Sequence, residues 1–375
     1  IPPSVALSTL LAHVEGAYRD GEGNPVGDRI LTRHCLQAFN PRYFTGAGDL
    51  FSYSRENAEA ARALLQPGRT GRAFLADRLA DPGDEWRVVD VGTLCSFFRD
   101  PAKFLLEHRL KMAIPGRPPF MEDFEPVEVT DLERYRLTKL HVERLLAGMG
   151  QEESFELMRM DGALPHGRQG EIVLAEVHAE GLRMVGAIAR CTGGEEPADR
   201  LVETGLGPFT LTGSVRTYGG DKAVLYRPAK MKGIDLLSSW IHHLALCCTD
   251  EGAGTRTWCI ARDEVREYRR PEGCREILAA LLDLYWQGLS RPLPFFPETS
   301  WEYAKALTEV RSPSAEAAIQ KARAFWGSPQ GGKRESEAFS RTVCFPGADP
   351  LSERFRTMAA GIYGPLLQHG KKDSP

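Results

Sequence analysis

Apolar positions in the middle of the chain change from a helical spacing to a strand spacing. Leu174, Val177, Val185 and Ile188 follow the 3.6-residue period of an amphipathic helix, which predicts a helix over residues 171–188. Short apolar and β-branched runs follow, separated by glycine-containing breaks at 205–208 and 219–221. These runs predict three antiparallel strands, at 201–204, 209–217 and 223–227.

Helices are predicted before and after these strands in the sequence. They cover residues 8–14, 54–65, 93–98, 133–146, 235–247, 276–287, 299–307, 315–326 and 355–363, and a hairpin joins 255–261 to 265–269. Asp100 and Pro101 predict the N-cap and first position of another short helix, and Gly288 predicts a helix stop. Thr299 and Glu302 have the spacing of a capping box. The pattern predicts an α+β domain.

The chain divides into three segments by composition. Residues 1–44 end in a stretch, 33–44, that has neither a helical nor a strand period, which predicts an extended arm. Residues 45–85 are rich in glycine, alanine and charge, which predicts a linker containing one helix. A compact domain is expected from residue 86 to residue 375. Because the chain starts Ile-Pro-Pro without methionine or a signal pattern, we expect it to be a fragment.

Composition restricts the class of protein. The 375 residues are 42% hydrophobic and 26% charged, as in ordinary globular domains, and the net charge of −4 argues against binding nucleic acid by bulk charge. Contact with nucleic acid would therefore need a local basic patch or a partner subunit. No apolar run is long enough for a membrane span. The 8 cysteines form no C-x-x-C pair, so we expect buried, reduced thiols in a cytoplasmic protein.

Two other motifs are weak. Residues 327–333 match the first seven positions of a P-loop, but Arg334 replaces the Ser or Thr that would bind Mg²⁺, and a helix precedes the loop. His242 and His243 lie near Cys247 and Cys248 on one predicted helix, where adjacent side chains point about 100° apart. No second ligand pair stands at metal spacing, so neither ATP nor zinc binding is expected.

The central strands resemble the core of metal-dependent PD-(D/E)XK nucleases of the RecB type. In those enzymes one strand ends Gly-x-x-Asp and the next carries Asp-x-Lys, and the resemblance implies that these side chains gather around one Mg²⁺. In this chain the first slot reads Gly213-Ser214-Val215-Arg216 and the second reads Leu225-Tyr226-Arg227. Leu225 cannot bind a metal. Arg216 would repel a metal ion, because like unit charges at 4 Å repel by about 4 kcal/mol at an effective dielectric constant of 20. The degenerate slots Arg216, Leu225 and Arg227 therefore predict no catalytic residue and no metal site.

A longer resemblance covers most of the chain. Its segments include RHCLQAFNPRYF at 33–44 and VDVGTLCSFFRDPAKFLLEHRL at 89–110, followed by 124–137, 162–171, 235–246, 281–300 and 363–369. In this order they resemble the C-terminal third of the RecC family, the gamma subunit of exodeoxyribonuclease V (RecBCD). The first segment departs from the family pattern at Cys35, Ala38 and Asn40.

The RecC resemblance implies a role for each segment. Residues 1–44 would be the end of an inactivated helicase-like domain and its arm, 45–85 a linker, and 86–375 the third domain. That domain would have a degenerate restriction-endonuclease-like core, a small sheet flanked by helices, with extra C-terminal helices. Related nucleases hold an Fe–S cluster through a cysteine in the first helical motif. This chain has Asp100 at that position, so the resemblance implies no cofactor here.

The resemblance also implies a non-catalytic subunit that scaffolds RecB, works with RecD, and guides or splits duplex DNA ends in double-strand break repair. Its DNA partners would be duplex, forked and single-stranded. Candidate DNA contacts are the basic residues beside the former catalytic face and the residues of two loops, 114–120 and 164–168, that are candidates for a strand-separating pin. These contacts are Arg216, Lys222, Arg227, Lys230, Lys232, Arg117, Phe120 and Arg168.

Two alternatives remain open from the sequence. The first is a metal-dependent nuclease whose site has been rebuilt from other carboxylates, such as Glu171, Glu203 and Asp221. The second is a protein-interaction module that makes no contact with DNA.

Overall fold

The computed structural model describes residues 4–46, 48–65, 74–75, 77–114, 128–162, 164–308, 314–330, 333–347 and 349–373. The chain forms two compact units, residues 1–72 and 73–375. Each unit is described by itself below.

The first unit contains three helices and an ordered arm. The helices are α1 (Val5–Ala17), α2 (Gly27–Ile30) and α3 (Arg55–Leu65). The arm predicted over residues 33–44 is anchored by Tyr43, which is buried. The Tyr43 hydroxyl donates to the Cys35 carbonyl oxygen at 3.2 Å, and the Tyr43 ring stacks on His34. The arm therefore has local structure although its sequence has no period.

The second unit is built on a seven-stranded mixed sheet. Its strands are β1 (Val88–Asp90), β2 (Pro197–Leu206), β3 (Phe209–Tyr218), β4 (Lys222–Arg227), β5 (Arg256–Ala261), β6 (Val265–Arg269) and β9 (Gly370–Asp373), and a separate hairpin joins β7 (Pro329–Gln330) to β8 (Lys333–Arg334). The strand order is β1-β3-β4-β5-β6-β9, with β2 paired to β3. Strand pairs β1–β3 and β4–β5 are parallel, and the others are antiparallel.

Helices cover both faces of this sheet. They are α4 (Val91–Arg99), α5 (Pro101–Phe104), α6 (Asp131–Leu146), α7 (Gln151–Met160), α8 (Arg168–Thr192), α9 (Gly233–Cys247), α10 (Cys274–Gly288), α11 (Pro297–Thr308), α12 (Ala315–Gly327), α13 (Phe339–Cys344) and α14 (Glu353–His369). The largest core cluster joins one face of the sheet to α4, α9, α10 and α14, and α6 and α8 pack on the other face. Among the described helices, none is long and apolar enough to cross a membrane.

Most elements predicted from local pattern are confirmed. The three central strands and the β5–β6 hairpin are present, although β2 runs on to Leu206, so the predicted break at 205–208 shrinks to Gly207-Pro208. The Asp100 carboxylate accepts a hydrogen bond from the Lys103 amide at 2.9 Å, as an N-cap should. Six of the eight cysteines are buried and all eight are free thiols. The mixed α+β class, with a small sheet between helices, is also confirmed.

Two local predictions are wrong, and in both cases tertiary contacts decide the local structure. Thr299 is not the N-cap of a helix but lies in the first turn of α11, where its amide and hydroxyl donate to the Glu335 carboxylate at 2.9 and 2.5 Å. Gly288 is the last residue of α10 rather than a stop after it. A side chain there would collide with the Phe97 ring, so Gly288 serves packing.

Candidate functional site

An opening lies along one edge of β3. Strand β2 pairs with all ten residues of β3, so β1 and β4 must share the other edge. There β1 pairs with residues 210–212 and β4 with Thr217 and Tyr218 only. In the described sheet, residues 213–216 therefore lie between the two partners. We call this opening, with Asp90 of β1 and Leu225–Arg227 of β4 beside it, the strand fork.

A glycine allows helix α4 to approach the strand fork. Gly213 has φ +146°, and a Cβ atom there would lie 2.9 Å from Asp90 Oδ2 and 3.3 Å from Val91 Cγ2. The other oxygen, Asp90 Oδ1, accepts hydrogen bonds from the amides of Gly92 and Thr93 at 2.8 and 3.2 Å and so caps α4. Gly213 therefore has a structural role. Asp90 is not among the residues predicted from sequence, and its only signal there is the N-cap pattern Asp-x-Gly-Thr.

We expect Gly213→Ala to lower the free energy of unfolding by about 3 kcal/mol, because it adds a backbone conformation that L-residues avoid to a steric clash. Urea denaturation followed by tryptophan fluorescence measures the change. The control is Gly205→Ala on β2, where an added Cβ would meet no atom within 4 Å. This control should stay within about 0.5 kcal/mol of the parent protein. Equal effects of the two substitutions would contradict the role given to Gly213.

The strand fork does not bring the three degenerate slots together. Thr217 pairs with Ala223, so by alternation Leu225 and Arg227 belong to the α9 face of the sheet. Arg216 belongs to the opposite face, where α8 packs on Tyr226. Sequence spacing groups these three slots as one set, whereas the structure places them on two faces of the sheet.

Three of the predicted DNA contacts are each paired with a carboxylate. Arg216 lies 3.7 Å from Asp199, Lys222 lies 3.1 Å from Glu195, and Arg227 lies 3.4 Å from Asp235. Lys222 also donates to the Thr192 carbonyl oxygen at the end of α8. Burial raises the pKa of Asp235, and the Arg227 guanidinium acts in the opposite direction.

Two further basic candidates lie in the loop after β4. Lys230 and Lys232 are exposed in the segment that leads from β4 to α9. Because Arg216, Lys222 and Arg227 are paired on two faces, the five residues do not form one continuous cationic surface.

The loop predictions have different outcomes. Arg117 and Phe120 lie outside the described residues, with most of the loop 114–120. In the second loop Leu164 and Pro165 are buried, whereas Arg168 is exposed and begins α8. A cleft of about 300 Å³ opens between this loop and the end of α7, and Arg159 lies 3.1 Å from Glu171 within its lining.

The carboxylates of the relocated-site alternative lie apart. Glu203 stands opposite Thr212 on β3, whereas Asp221 follows Tyr218 in the next turn, so about 20 Å of strand separates them. Glu171 belongs to α8 and pairs with Arg159. Within the described ranges, no three His, Cys, Asp or Glu side chains are grouped closely enough to hold a metal ion.

The histidine and P-loop motifs have local structural causes. Buried His243 contacts the Thr257 hydroxyl at 3.0 Å and the Cys247 sulfur at 3.5 Å. His242 contacts the Ser238 carbonyl oxygen at 2.7 Å. The P-loop-like segment follows the end of α12 and forms the short β7–β8 hairpin. Its two central glycines lie outside the described residues.

Comparison with known proteins gives one family. A family model described as the RecC C-terminal domain matches residues 86–308. The chain is 30% identical to the RecBCD enzyme subunit RecC of Mycolicibacterium smegmatis, over 81% of this chain and 28% of the relative. It is 24% identical to the subunit of the same name from Escherichia coli K12, over 86% and 29%. The Haemophilus influenzae subunit is 23% identical, over 76% and 25%. The chain thus spans between a quarter and three tenths of the length of these relatives.

Proposed function

Because the chain belongs to the RecC family, we propose that it forms a non-catalytic part of a RecC subunit in a RecBCD-type helicase and nuclease. It scaffolds RecB, works with RecD, and guides or splits duplex DNA ends during double-strand break repair by homologous recombination in the cytoplasm. The observation that carries this proposal is the family match over residues 86–308, the segment that contains the strand fork.

The order of the elements supports an inactivated nuclease-like core, although Arg216 lies on the opposite face of the sheet from Leu225 and Arg227. Strands β3 and β4 are neighbours, as the two motif strands of a PD-(D/E)XK site are, and α9 follows β4 directly. Leu225 offers no metal ligand, and the cationic Arg227 stands two residues further along the same face. The nearby carboxylate of Asp235 is already paired with Arg227 at 3.4 Å, so its charge is offset before any metal ion could use it. The fork is thus unsuited to Mg²⁺ chemistry.

Co-expression with RecB and RecD from the same organism tests the subunit role. We expect the three proteins to co-purify and to unwind duplex ends, and a photocrosslinking forked duplex to label residues of this chain. Failure to co-purify would contradict the subunit role. Co-purification without any DNA adduct on this chain, at residues 114–120, 164–168, 216–232 or elsewhere, would instead favour a pure protein-interaction module.

The nuclease alternative predicts a different result. The isolated chain with Mg²⁺ should not degrade single-stranded DNA above the background of a mock purification. A cleavage activity that disappears in Glu171→Ala would establish a relocated active site and overturn the non-catalytic proposal. The separation of Glu203 from Asp221 along β3 makes that outcome the less supported one.

A further inference from the structure

Two arginines of β5 and β6 lie within 4 Å of one nearly buried carboxylate, and a lysine of β9 stands opposite that residue in the sheet. Glu267 of β6 is 8% exposed and accepts hydrogen bonds from Arg269 Nε and Nη2 at 3.2 and 3.4 Å. Arg256 Nη1 of β5 lies 3.9 Å from the same carboxylate. Lys371 of β9 is exposed and stands directly opposite Glu267 in the sheet register. We call Arg256, Glu267, Arg269 and Lys371 the Glu267 cluster.

The Glu267 cluster has an excess of positive charge. Its formal sum is +2, since three cations face one carboxylate. By contrast, Arg216 and Arg227 each have a carboxylate of their own. Arg256 also stands directly opposite Arg269, an arrangement of like charges that destabilises a sheet. The surplus positive charge is therefore available to an anionic ligand.

The carboxylate orients Arg269 through two hydrogen bonds and leaves most donors of both arginines available. A guanidinium has five N–H donors, of which Glu267 takes two from Arg269. Arg256 contributes through its charge, at 3.9 Å. Their side chains are 52% exposed for Arg256 and 66% exposed for Arg269. Arginine forks bind phosphate oxygens in a bidentate manner, and fixing them beforehand lowers the entropy lost on binding.

An aromatic ring shares this face. Trp258 pairs with Glu267 in the register and is partly exposed. Aromatic rings beside cations are typical of surfaces that bind single-stranded nucleic acid, where the rings contact bases or sugars and the cations contact phosphates. An acidic protein segment would use the cations but would have no need of the ring.

We propose that the Glu267 cluster binds the phosphate backbone of a DNA strand, with Trp258 in contact with the sugar or base. This proposal rests on the proposed function, which supplies the DNA. It places the DNA contact on residues other than the five basic candidates near the strand fork, Arg216, Lys222, Arg227, Lys230 and Lys232. The residues of the Glu267 cluster are brought together by the sheet although Arg256 and Lys371 lie 115 positions apart in the sequence.

Fluorescence anisotropy of a labelled 20-nucleotide single strand with the 375-residue chain tests this assignment. The double variant R256Q/R269Q should bind at least tenfold more weakly than the parent at 50 mM NaCl. The slope of log K against log salt should become shallower by about 1.4, the value for two lost single-strand phosphate contacts. The control R183Q/R323Q removes two exposed arginines that have carboxylate partners and should change the affinity less than twofold.

A second variant and a second ligand distinguish DNA binding from unfolding and from binding of an acidic protein. K371Q changes one exposed side chain, so it should leave the sheet folded and weaken binding about threefold. Equal losses in the control variant, no loss in either cluster variant, or no binding by the parent chain would each overturn the assignment. The assignment would also be overturned if the parent chain bound an acidic peptide more tightly than the DNA strand and R256Q/R269Q abolished the binding of that peptide. If RecB and RecD still co-purify with R256Q/R269Q, these failures concern only the DNA contact and leave the subunit role intact.

Discussion

Replacing Glu335 by Ala is expected to lower the free energy of unfolding by about 4 kcal/mol, because it leaves a buried charge without its nearest partner. The Glu335 side chain is 9% exposed and lies 3.2 Å from Arg341 Nη2. It also accepts the amide and hydroxyl hydrogen bonds of Thr299 in the first turn of α11. Removing the carboxylate uncaps that helix and leaves the Arg341 guanidinium, which lies beside the Phe296 and Trp326 rings, without its closest counter-charge.

Glu337→Ala is the matched control for this prediction. Glu337 lies two residues away, is 57% exposed and stands 3.7 Å from an exposed Arg334, so its loss should cost less than about 1 kcal/mol. Urea denaturation measures both variants. Adding Arg341→Met to Glu335→Ala should recover part of the loss, because it removes a buried guanidinium that keeps only the more distant carboxylate of Asp100, at 3.9 Å. Equal losses for Glu335→Ala and Glu337→Ala would show that the Glu335 network contributes nothing beyond a surface pair.

The elements that could be predicted from sequence are those whose causes lie within a few residues. The Asp100 cap depends on a side chain three positions from the amide that it binds, and the strands β3 and β4 depend on the turn between them. The cap of α11 depends on Glu335, which is 36 positions beyond Thr299. Because Glu335 is so distant in the sequence, a local pattern cannot include it. The spacing of Thr299 and Glu302 alone therefore predicts a capping box.

Short strands were missed for a related reason. Strand β1 has three residues and β9 has four, and runs of this length show no alternation of their own. Each exists because a neighbouring strand, β3 or β6, offers it a free edge. The same limit applies to the charged groups. Basic residues near one another in sequence were grouped as one surface, but strand alternation separates Arg216 from Arg227, whereas register gathers Arg256, Arg269 and Lys371.

Two buried histidines link the stability of the second unit to pH. His141 of α6 is fully buried, with its ring nitrogens 2.8 Å from the Ser154 hydroxyl and 2.9 Å from His178. Burial lowers the pKa of His141 to about 4, and the charges of His178 and Arg144 act in the same direction. Burial likewise lowers the pKa of His243 to about 4. Both imidazoles are therefore neutral in the folded chain at pH 7.

We expect the free energy of unfolding to fall as the pH is lowered from about 6.5, the pKa of an unperturbed histidine, to about 4. In that range the unfolded chain binds protons that the folded His141 and His243 do not, so stability is complete above pH 6.5 and is lost on acidification. Each histidine contributes a slope of about 1.4 kcal/mol per pH unit, or about 3 kcal/mol over the interval. Urea denaturation at half-unit steps measures the combined slope, and His141→Gln should reduce it by about half. A slope unchanged by His141→Gln, or NMR titration of the His141 ring near pH 6.5, would show that this histidine is not excluded from protons in the fold.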